Sequence, residues 1–248
     1  GVMCLPQYHP AVQAGQAAMF DHLSEGRFIM GVGPGGLLSD FELFGVLEKD
    51  RMEMMEESLD MILELWNTEP PYKMHGKHWN IEMKDWTHHD IKLGYVPKPL
   101  QQPHPPIAMS AMSPSSSSLT FAGQRGYIPV SANFIAPWSV ETHWPAYCAG
   151  ADSAGLIADP NEWHVARSIF VADTDAEAEE FVKTPGGAYD YYYDYLFKIF
   201  DRSGFKGPFV TNQGDDPESL TPTAVRDACV IHGSPETVAK KITDFKNS

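Results

Sequence analysis

The chain has 248 residues, of which 43% are hydrophobic, and this is enough for one sizeable hydrophobic core. Its 18 Lys and Arg stand against 33 Asp and Glu, which gives a formal net charge of −15. So acidic a chain cannot assemble the basic face that binds nucleic acids or anionic membrane surfaces, and both classes of partner are excluded.

The cysteines indicate a reducing compartment. Cys4, Cys148 and Cys229 lie far apart, in an odd number and without CxxC spacing. No run approaches the roughly 18 apolar residues of a membrane helix, and no signal peptide is visible. We therefore expect a cytoplasmic protein.

Short strands and helices alternate in the first half of the chain. The predicted elements are a strand at Val2–Leu5, a helix at Ala11–Leu23, a strand at Arg27–Val32, a helix over Met52–Trp66 and a hairpin at Tyr72–Met83. No helix of the dinucleotide-binding type is expected at Leu37–Gly45. The prolines of Lys84–Pro106 predict irregular structure. The long helix carries one acidic face, predicted to be solvated: Glu53, Glu56, Glu57, Asp60 and Glu64.

The second half continues the alternation. The predicted elements are strands at Ile107–Ala111, Tyr127–Ser131 and His164–Ala172, helices at Ser115–Gln124, Val140–Ala151, Asp175–Val182, Tyr189–Phe200 and Pro235–Phe245, and a loop at Ser203–Thr223. Five strands alternating with helices predict a parallel sheet with crossover helices. We expect one domain over residues 1–248, with an insertion at about residues 67–106.

Two segments have the residue types that suit a bound ligand. Gly33–Gly36 (GPGG) directly follows a predicted strand, where glycines let the backbone approach a flat ligand. Taken alone, the glycines are more typical of an ordinary tight turn. Ser113–Ser118 (SPSSSS) runs into a helix, where free N–H groups and hydroxyls can hold a phosphate. The alternative there is a plain helix cap. Because no lysine accompanies the serines, the segment is not a nucleotide P-loop.

The order of motifs along the chain resembles the luciferase-like, flavin-dependent monooxygenase family. The motifs are GRFIMGVGPGGLLSDFELFG at Gly26–Gly45, preceded by Leu5-Pro6 and His9-Pro10, and followed by Pro105-Pro106-Ile107, the serine turn at Ser113–Ser115 and GSPETV at Gly233–Val238. The resemblance implies an α/β fold, the TIM (β/α)8 barrel of the luciferase-like type. In that barrel two further strands are expected before Val2 and one after Phe245, so this chain is expected to lack them.

The same resemblance implies a site for FMN, or for a deazaflavin, at the carboxyl ends of the strands. The residues implied to line the flavin ring are Gly33, Pro34, Gly35, Gly36 and Leu37. Those implied to hold the phosphate or lie beside it are Met112, Ser113, Ser115, Ser116 and Ser117, and Asn133 is added because it follows a strand. His9 aligns with a family histidine on the catalytic face and is the candidate catalytic residue. Its alternative role is a histidine hydrogen-bonded to backbone at a strand end.

The implied reaction uses reduced FMN from a separate flavin reductase and O₂ to oxygenate a small apolar substrate through a flavin C4a-peroxide. The implied assembly is a homodimer. Two departures from bacterial luciferase leave alternatives open: Pro34 replaces an arginine and Met112 replaces an acidic residue. The alternatives are a deazaflavin-dependent oxidoreductase on the same barrel and a non-catalytic flavin-binding protein. The histidines at 75–104 lie in a proline-rich stretch without a helix to orient them, so no metal site is expected.

Overall fold

The structure is a computed structural model that describes residues 1–247. The chain divides into two compact units, Gly1–Ala108 and Met109–Ser248. Within the described range, no helix combines the length and the apolar character that crossing a membrane requires.

The first unit contains four strands and three α-helices. In chain order they are β1 (Met3–Cys4), α1 (Pro10–Leu23), β2 (Met30–Gly33), α2 (Leu38–Leu43), α3 (Arg51–Asn67), β3 (Lys73–His75) and β4 (Asn80–Glu82). Strands β1 and β2 pair in parallel, with Met3 opposite Val32.

Helices α1 and α3 pack on each other through an alanine-rich face. Ala14 and Ala18 of α1 are fully buried, as is Leu59 of α3. The Trp66 indole Nε1 donates to the Ala14 carbonyl at 3.2 Å. Small side chains on α1 thus let a large aromatic ring of α3 reach the α1 backbone.

Both predicted strands of this unit are shorter than expected. Leu5–Gln7 forms a 3₁₀ turn, because Pro6 fits the start of a helical turn and supplies no N–H to a sheet. Arg27–Ile29 lies outside β2, where the Arg27 side chain bonds back to the Ser24 carbonyl. The helices α1 and α3 and the hairpin β3–β4, which is antiparallel, confirm the predictions. The six-residue helix α2 was not predicted.

The acidic face of α3 is more than a solvated surface, which corrects that prediction. The Glu57 carboxylate accepts hydrogen bonds from the backbone N–H groups of Lys77 (2.7 Å), His78 (3.0 Å) and Trp79 (2.7 Å). A Cβ on Gly76 would lie 2.2 Å from the same carboxylate. Glu57 therefore fixes the hairpin turn, and the turn needs glycine at position 76.

The second unit contains most of the remaining elements, and β5 (Ile107–Ala111) crosses the division between the units. The others are α4 (Ser117–Arg125), β6 (Ile128–Ser131), α5 (Pro137–Glu141), α6 (His143–Ser153), β7 (His164–Val165), β8 (Ser168–Val171), α7 (Asp175–Lys183), α8 (Ala188–Arg202), α9 (Pro222–Cys229), β9 (Val230–Gly233) and α10 (Pro235–Asn247).

Two separate sheets contain the strands of the second unit. Strands β5, β6 and β7 are neighbours in that order, and β6 pairs with β7 in parallel, with Val130 opposite His164. Strands β8 and β9 form their own parallel pair, with Ser168 opposite Val230. The parallel pairing and alternating helices confirm the α/β prediction. Within either unit, the described strands do not close into a barrel.

Three predictions for the second unit were wrong. The strand predicted at His164–Ala172 is two strands, because the chain leaves one sheet at Ala166 and enters the other at Ser168. The helix predicted at Val140–Ala151 is two helices that meet at Thr142, which agrees with Pro145 favouring the first turn of a helix. Strand β9 and helix α9 were not predicted. With the divided strand, this makes the expected count of five strands outside the hairpin too low, because the described residues form seven there and nine with β3 and β4.

Candidate functional site

The glycine-rich turn of the first unit begins where β2 ends. Gly35 has φ +88, and a Cβ there would lie 2.7 Å from the Phe41 ring. Phe41 is buried, and the Arg51 guanidinium lies 4.1 Å from its ring centre. The turn therefore requires glycine at position 35 and packs against the Phe41 ring. Gly36 and Leu37 are exposed, and Gly33 is buried.

A polar group beside this turn has no partner within the described residues. The Gln7 side-chain nitrogen is buried and makes no hydrogen bond, and it lies 3.6 Å from the position of a Gly35 Cβ. A buried amide without a partner costs about 1–3 kcal/mol, so such a group is suited to a ligand acceptor. The sequence analysis did not single out Gln7.

His9 follows the 3₁₀ turn and caps helix α1, so it does not end a strand as expected. Its Nδ1 accepts a hydrogen bond from the Ala11 N–H at 3.3 Å, which leaves the proton of the neutral ring on Nε2. Nε2 lies 3.4 Å from the Asn80 carbonyl, and the ring meets Trp79 edge-on, with 5.8 Å between centroids. The exposed imidazole is thus held by the hairpin that Glu57 fixes.

The serine turn of the second unit lies between β5 and α4. Ser115 has φ +48, a left-handed conformation that costs a non-glycine residue about 1–2 kcal/mol. Its N–H donates to the Thr142 hydroxyl at 2.7 Å, and that hydroxyl donates to the Ser139 carbonyl at 2.7 Å. Ser116 precedes α4 without capping it through its side chain, which argues against the plain helix cap.

A buried histidine supports the start of the same turn. His143 Nε2 lies 3.0 Å from the Ser113 carbonyl, and Nδ1 lies 2.9 Å from the Ser131 hydroxyl. The Trp163 indole donates to that hydroxyl at 3.0 Å. His143 and Ser131 are fully buried. Burial lowers the pKa of the His143 imidazole below its ordinary value of 6.5 and outweighs the opposing hydrogen bond to Ser113.

Met112 and Asn133 contact the protein itself. Met112 packs against the aromatic cluster of the second unit, which includes Tyr193. The Asn133 amide donates to the Ser168 hydroxyl and to the Tyr192 hydroxyl, each at 3.2 Å. These contacts give both side chains a role in packing, and their implied cofactor contacts stay predictions.

An apolar cavity of about 630 Å³ lies elsewhere in the second unit. Trp144, Trp163 and Phe245 line it together with the buried guanidinium of Arg167. Trp144 and Trp163 stack at 5.6 Å. Trp163 therefore belongs both to the cavity wall and to the hydrogen bonds that reach the serine turn.

Sequence reasoning missed His143, Ser131 and Thr142, and a signal for them was present. Pro145 marks a helix start inside the predicted helix, and the residues just before such a start often bond to neighbouring loops. Ser131 ends a strand in which burial alternates, so its inward position follows from period two.

The chain is similar to known proteins along its whole length. The luciferase-like monooxygenase family matches residues 1–248. The 2,5-diketocamphane 1,2-monooxygenase 2 of Pseudomonas putida is 31% identical, over 97% of this chain and 67% of that protein. The oxygenase component of a flavin-dependent trigonelline monooxygenase from Acinetobacter baylyi is 28% identical, over 77% of this chain and 50% of that protein.

One solved structure shares both fold and sequence. It is the oxygenating constituent of 3,6-diketocamphane monooxygenase from Pseudomonas putida, a type II Baeyer-Villiger monooxygenase in complex with FMN. It superposes with a TM-score of 0.82 at 29% identity, over 99% of this chain and 68% of that one. The chain thus spans about two thirds of the length of these diketocamphane monooxygenases.

The fold family expected from the ordered motifs is therefore confirmed, and the likeness extends well beyond those motifs. The chain belongs to the luciferase-like monooxygenase family.

Proposed function

We propose that this protein is a flavin-dependent monooxygenase that uses reduced FMN and O₂ to oxygenate a small apolar organic substrate. The observation that carries the proposal is the match to an FMN-containing oxygenating subunit over nearly the whole chain. The related diketocamphane monooxygenases point to cyclic terpenoid ketones as the first substrates to test.

The residues present fit such a cofactor. In the first unit, the Phe41 ring occupies the place of a Gly35 Cβ, so the turn carries no side chain at that position, and the Gln7 nitrogen is a buried donor without a partner among the described residues. We propose that this turn, Gly33–Leu37, contacts the flavin ring, with Gln7 donating to one of its acceptors. Pro34 is uncharged, so the turn carries no charged side chain at this position, which agrees with an uncharged, apolar substrate.

In the second unit, we propose that the turn Ser113–Ser117 holds the phosphate. Its hydroxyls and the first N–H groups of α4 provide donors, and the positive end of the helix dipole favours an anion. Met112 and Asn133 would support this region from the protein side, since both already pack or bond within the second unit.

Bound reduced flavin supplies the activation of O₂, and the protein supplies binding, orientation and exclusion of water. His9 is proposed to hold a proton at Nε2, because Nδ1 is engaged by the helix cap. The reduced flavin is proposed to come from a separate reductase, since a relative is named as an oxygenase component. A homodimer and a cytoplasmic location remain part of the proposal.

Anaerobic titration of the full-length protein with reduced FMN and with a reduced deazaflavin tests the cofactor. We expect saturable binding of FMN and at least about tenfold weaker binding of the deazaflavin, a difference of about 1.4 kcal/mol. Tight binding of the deazaflavin with none of FMN would replace the proposal by a hydride-transferring oxidoreductase.

A further inference from the structure

The second unit contains a chain of hydrogen bonds that links three side chains to the serine turn. Its members are the Trp163 indole, the Ser131 hydroxyl, the His143 imidazole and the Ser113 carbonyl. The three links measure 3.0, 2.9 and 3.0 Å. Ser131 and His143 at its centre are fully buried. A chain of this kind is costly to leave incomplete, because each buried member would lose its partner.

The two ends and a neutral imidazole together fix the direction of every bond. An indole N–H can only donate, and a backbone carbonyl can only accept. Ser131 therefore accepts from Trp163, and His143 donates from Nε2 to Ser113. In the neutral ring Nδ1 then carries no proton, so it accepts from the Ser131 hydroxyl. The imidazole is held as one neutral tautomer, and the lowering of its pKa by burial agrees with this state.

These hydrogen bonds reach a turn whose conformation is not stabilised by its own side chains. Ser115 is left-handed without being glycine, and the Ser116 side chain makes no capping hydrogen bond to α4. Two contacts from the start of α6 act instead: His143 at the Ser113 carbonyl and Thr142 at the Ser115 N–H. Together they fix both sides of Pro114.

We propose that His143 is a positioning residue, which holds the Ser113–Ser117 turn in the conformation that binds the phosphate of the flavin and thereby makes the protein prefer FMN to riboflavin. The inference rests on the proposed function of this turn. His143 does not touch the cofactor in this account: it acts through the Ser113 peptide, and Trp163 and Ser131 set its tautomer.

The test compares FMN with riboflavin, which has the same ring system without the phosphate, as ligands of the full-length protein and its variants. His143→Leu removes the donor to Ser113. We expect it to weaken FMN binding about tenfold or more, because the turn can then leave the phosphate-binding conformation to give the part-buried Ser113 carbonyl another donor, and to leave riboflavin binding within about twofold. His143→Gln keeps an N–H donor at similar reach and is expected to restore most of the preference.

Ser139→Ala is the matched control. Ser139 is buried at the same corner, but its hydroxyl has no hydrogen-bond partner in the described chain, so both affinities should stay unchanged. Ser131→Ala and Trp163→Phe interrupt the chain of hydrogen bonds farther from the turn. Each should shift the ratio of the FMN and riboflavin affinities in the same direction as His143→Leu. They keep the test decisive if His143→Leu fails to fold.

Two results would overturn the inference. If the variants of the hydrogen-bond chain weaken FMN and riboflavin binding equally, His143 has a general structural role. If they weaken neither, His143 has no role in flavin binding. In both cases His143 does not position the turn. If the unaltered protein binds both flavins equally, the serine turn holds no phosphate, and the proposed role of that turn fails together with the inference. The first result leaves the proposed phosphate role of the serine turn standing, and the second removes it; neither result by itself excludes a flavin-dependent monooxygenase.

Discussion

Single polar side chains fix two turns next to proposed site residues, the hairpin turn beside His9 and the serine turn. Glu57 gathers three backbone N–H groups of the hairpin turn, and that hairpin presents Trp79 and Asn80 to His9. In the second unit, His143 plays the corresponding part for the serine turn. At each place one side chain satisfies backbone groups that lie outside any helix or sheet.

Replacing Glu57 by Gln should loosen the hairpin. The amide NH₂ would face backbone donors that now meet a carboxylate, so we expect the free energy of unfolding to fall by about 1–3 kcal/mol. Hydrogen exchange should rise at the amides of residues 77–79. Glu64→Gln, at an exposed position of the same helix, is the control and should change neither quantity. Unchanged exchange at residues 77–79 in Glu57→Gln would contradict this role.

Burial of His143 predicts a pH dependence of stability. The pKa of the His143 imidazole is lowered in the folded protein. Around and below pH 6.5, the ordinary pKa of histidine, the unfolded chain therefore binds more protons than the folded protein. The contribution of this group therefore decreases as the pH falls through 6.5 towards the folded value. Chemical denaturation of wild type and His143→Gln should show a smaller loss between about pH 7.5 and 5.5 in the variant. Equal losses in both proteins would contradict the buried, neutral state.

Helices α4 and α6 cross with their backbones close together. A Cβ on Gly123 would lie 2.1 Å from the Tyr147 carbonyl oxygen, and one on Gly150 would lie 2.0 Å from the Thr120 carbonyl oxygen. Each helix thus presents a glycine to the backbone of the other. Because α4 follows the serine turn and α6 begins with His143, this crossing sets the distance between turn and histidine.

Gly150→Ala should force the two helices apart. We expect a loss of about 1–3 kcal/mol in the free energy of unfolding, from overpacking against backbone that cannot yield locally. Gly15→Ala in α1 is the matched control, since nothing lies within 4 Å of its Cβ position. It should stabilise the protein by about 0.5–1 kcal/mol. Thermal or urea unfolding measures both, and a neutral Gly150→Ala would contradict the close crossing.

Elements with strong local signals were predictable, and those set by pairing were not. The helices α1, α3 and α8 and the strand β5 have clear periodicity or flanking turns, and each was predicted within one or two residues. Strand β9 has four residues, and its parallel partner β8 is 59 residues earlier. Nothing local distinguishes so short a segment from a loop, so only the distant partner defines it.

The site shows the same division between local and distant information. The glycine and serine turns follow strands in sequence and were found by residue type and order. Thr142 and His143 bond to the backbone of another segment, and Gln7 lies beside the glycine turn; only packing brings these three residues to their places. Asn133 and Met112 were selected by position next to a strand or turn, and the structure gives both a packing partner.

At the scale of the whole molecule, the family match decides between chemistries that one fold can host. Barrels of this type support many reactions, so fold alone does not name one. The similarity to diketocamphane monooxygenases, one of them in complex with FMN, favours oxygenation over hydride transfer to a deazaflavin.

Labelled dioxygen provides the most direct test of the central claim. The full-length protein would be supplied with FMN, a flavin reductase, NADH and a cyclic terpenoid ketone under isotopically labelled O₂. We predict that one labelled oxygen atom enters each product molecule, that the other leaves as water, and that omitting the reductase system abolishes turnover. Product without label, or turnover with a reduced deazaflavin in the absence of O₂, would contradict a flavin-dependent monooxygenase. Bound FMN with no product from any ketone, terpene or alkanal would instead indicate a flavin-binding protein without catalytic function.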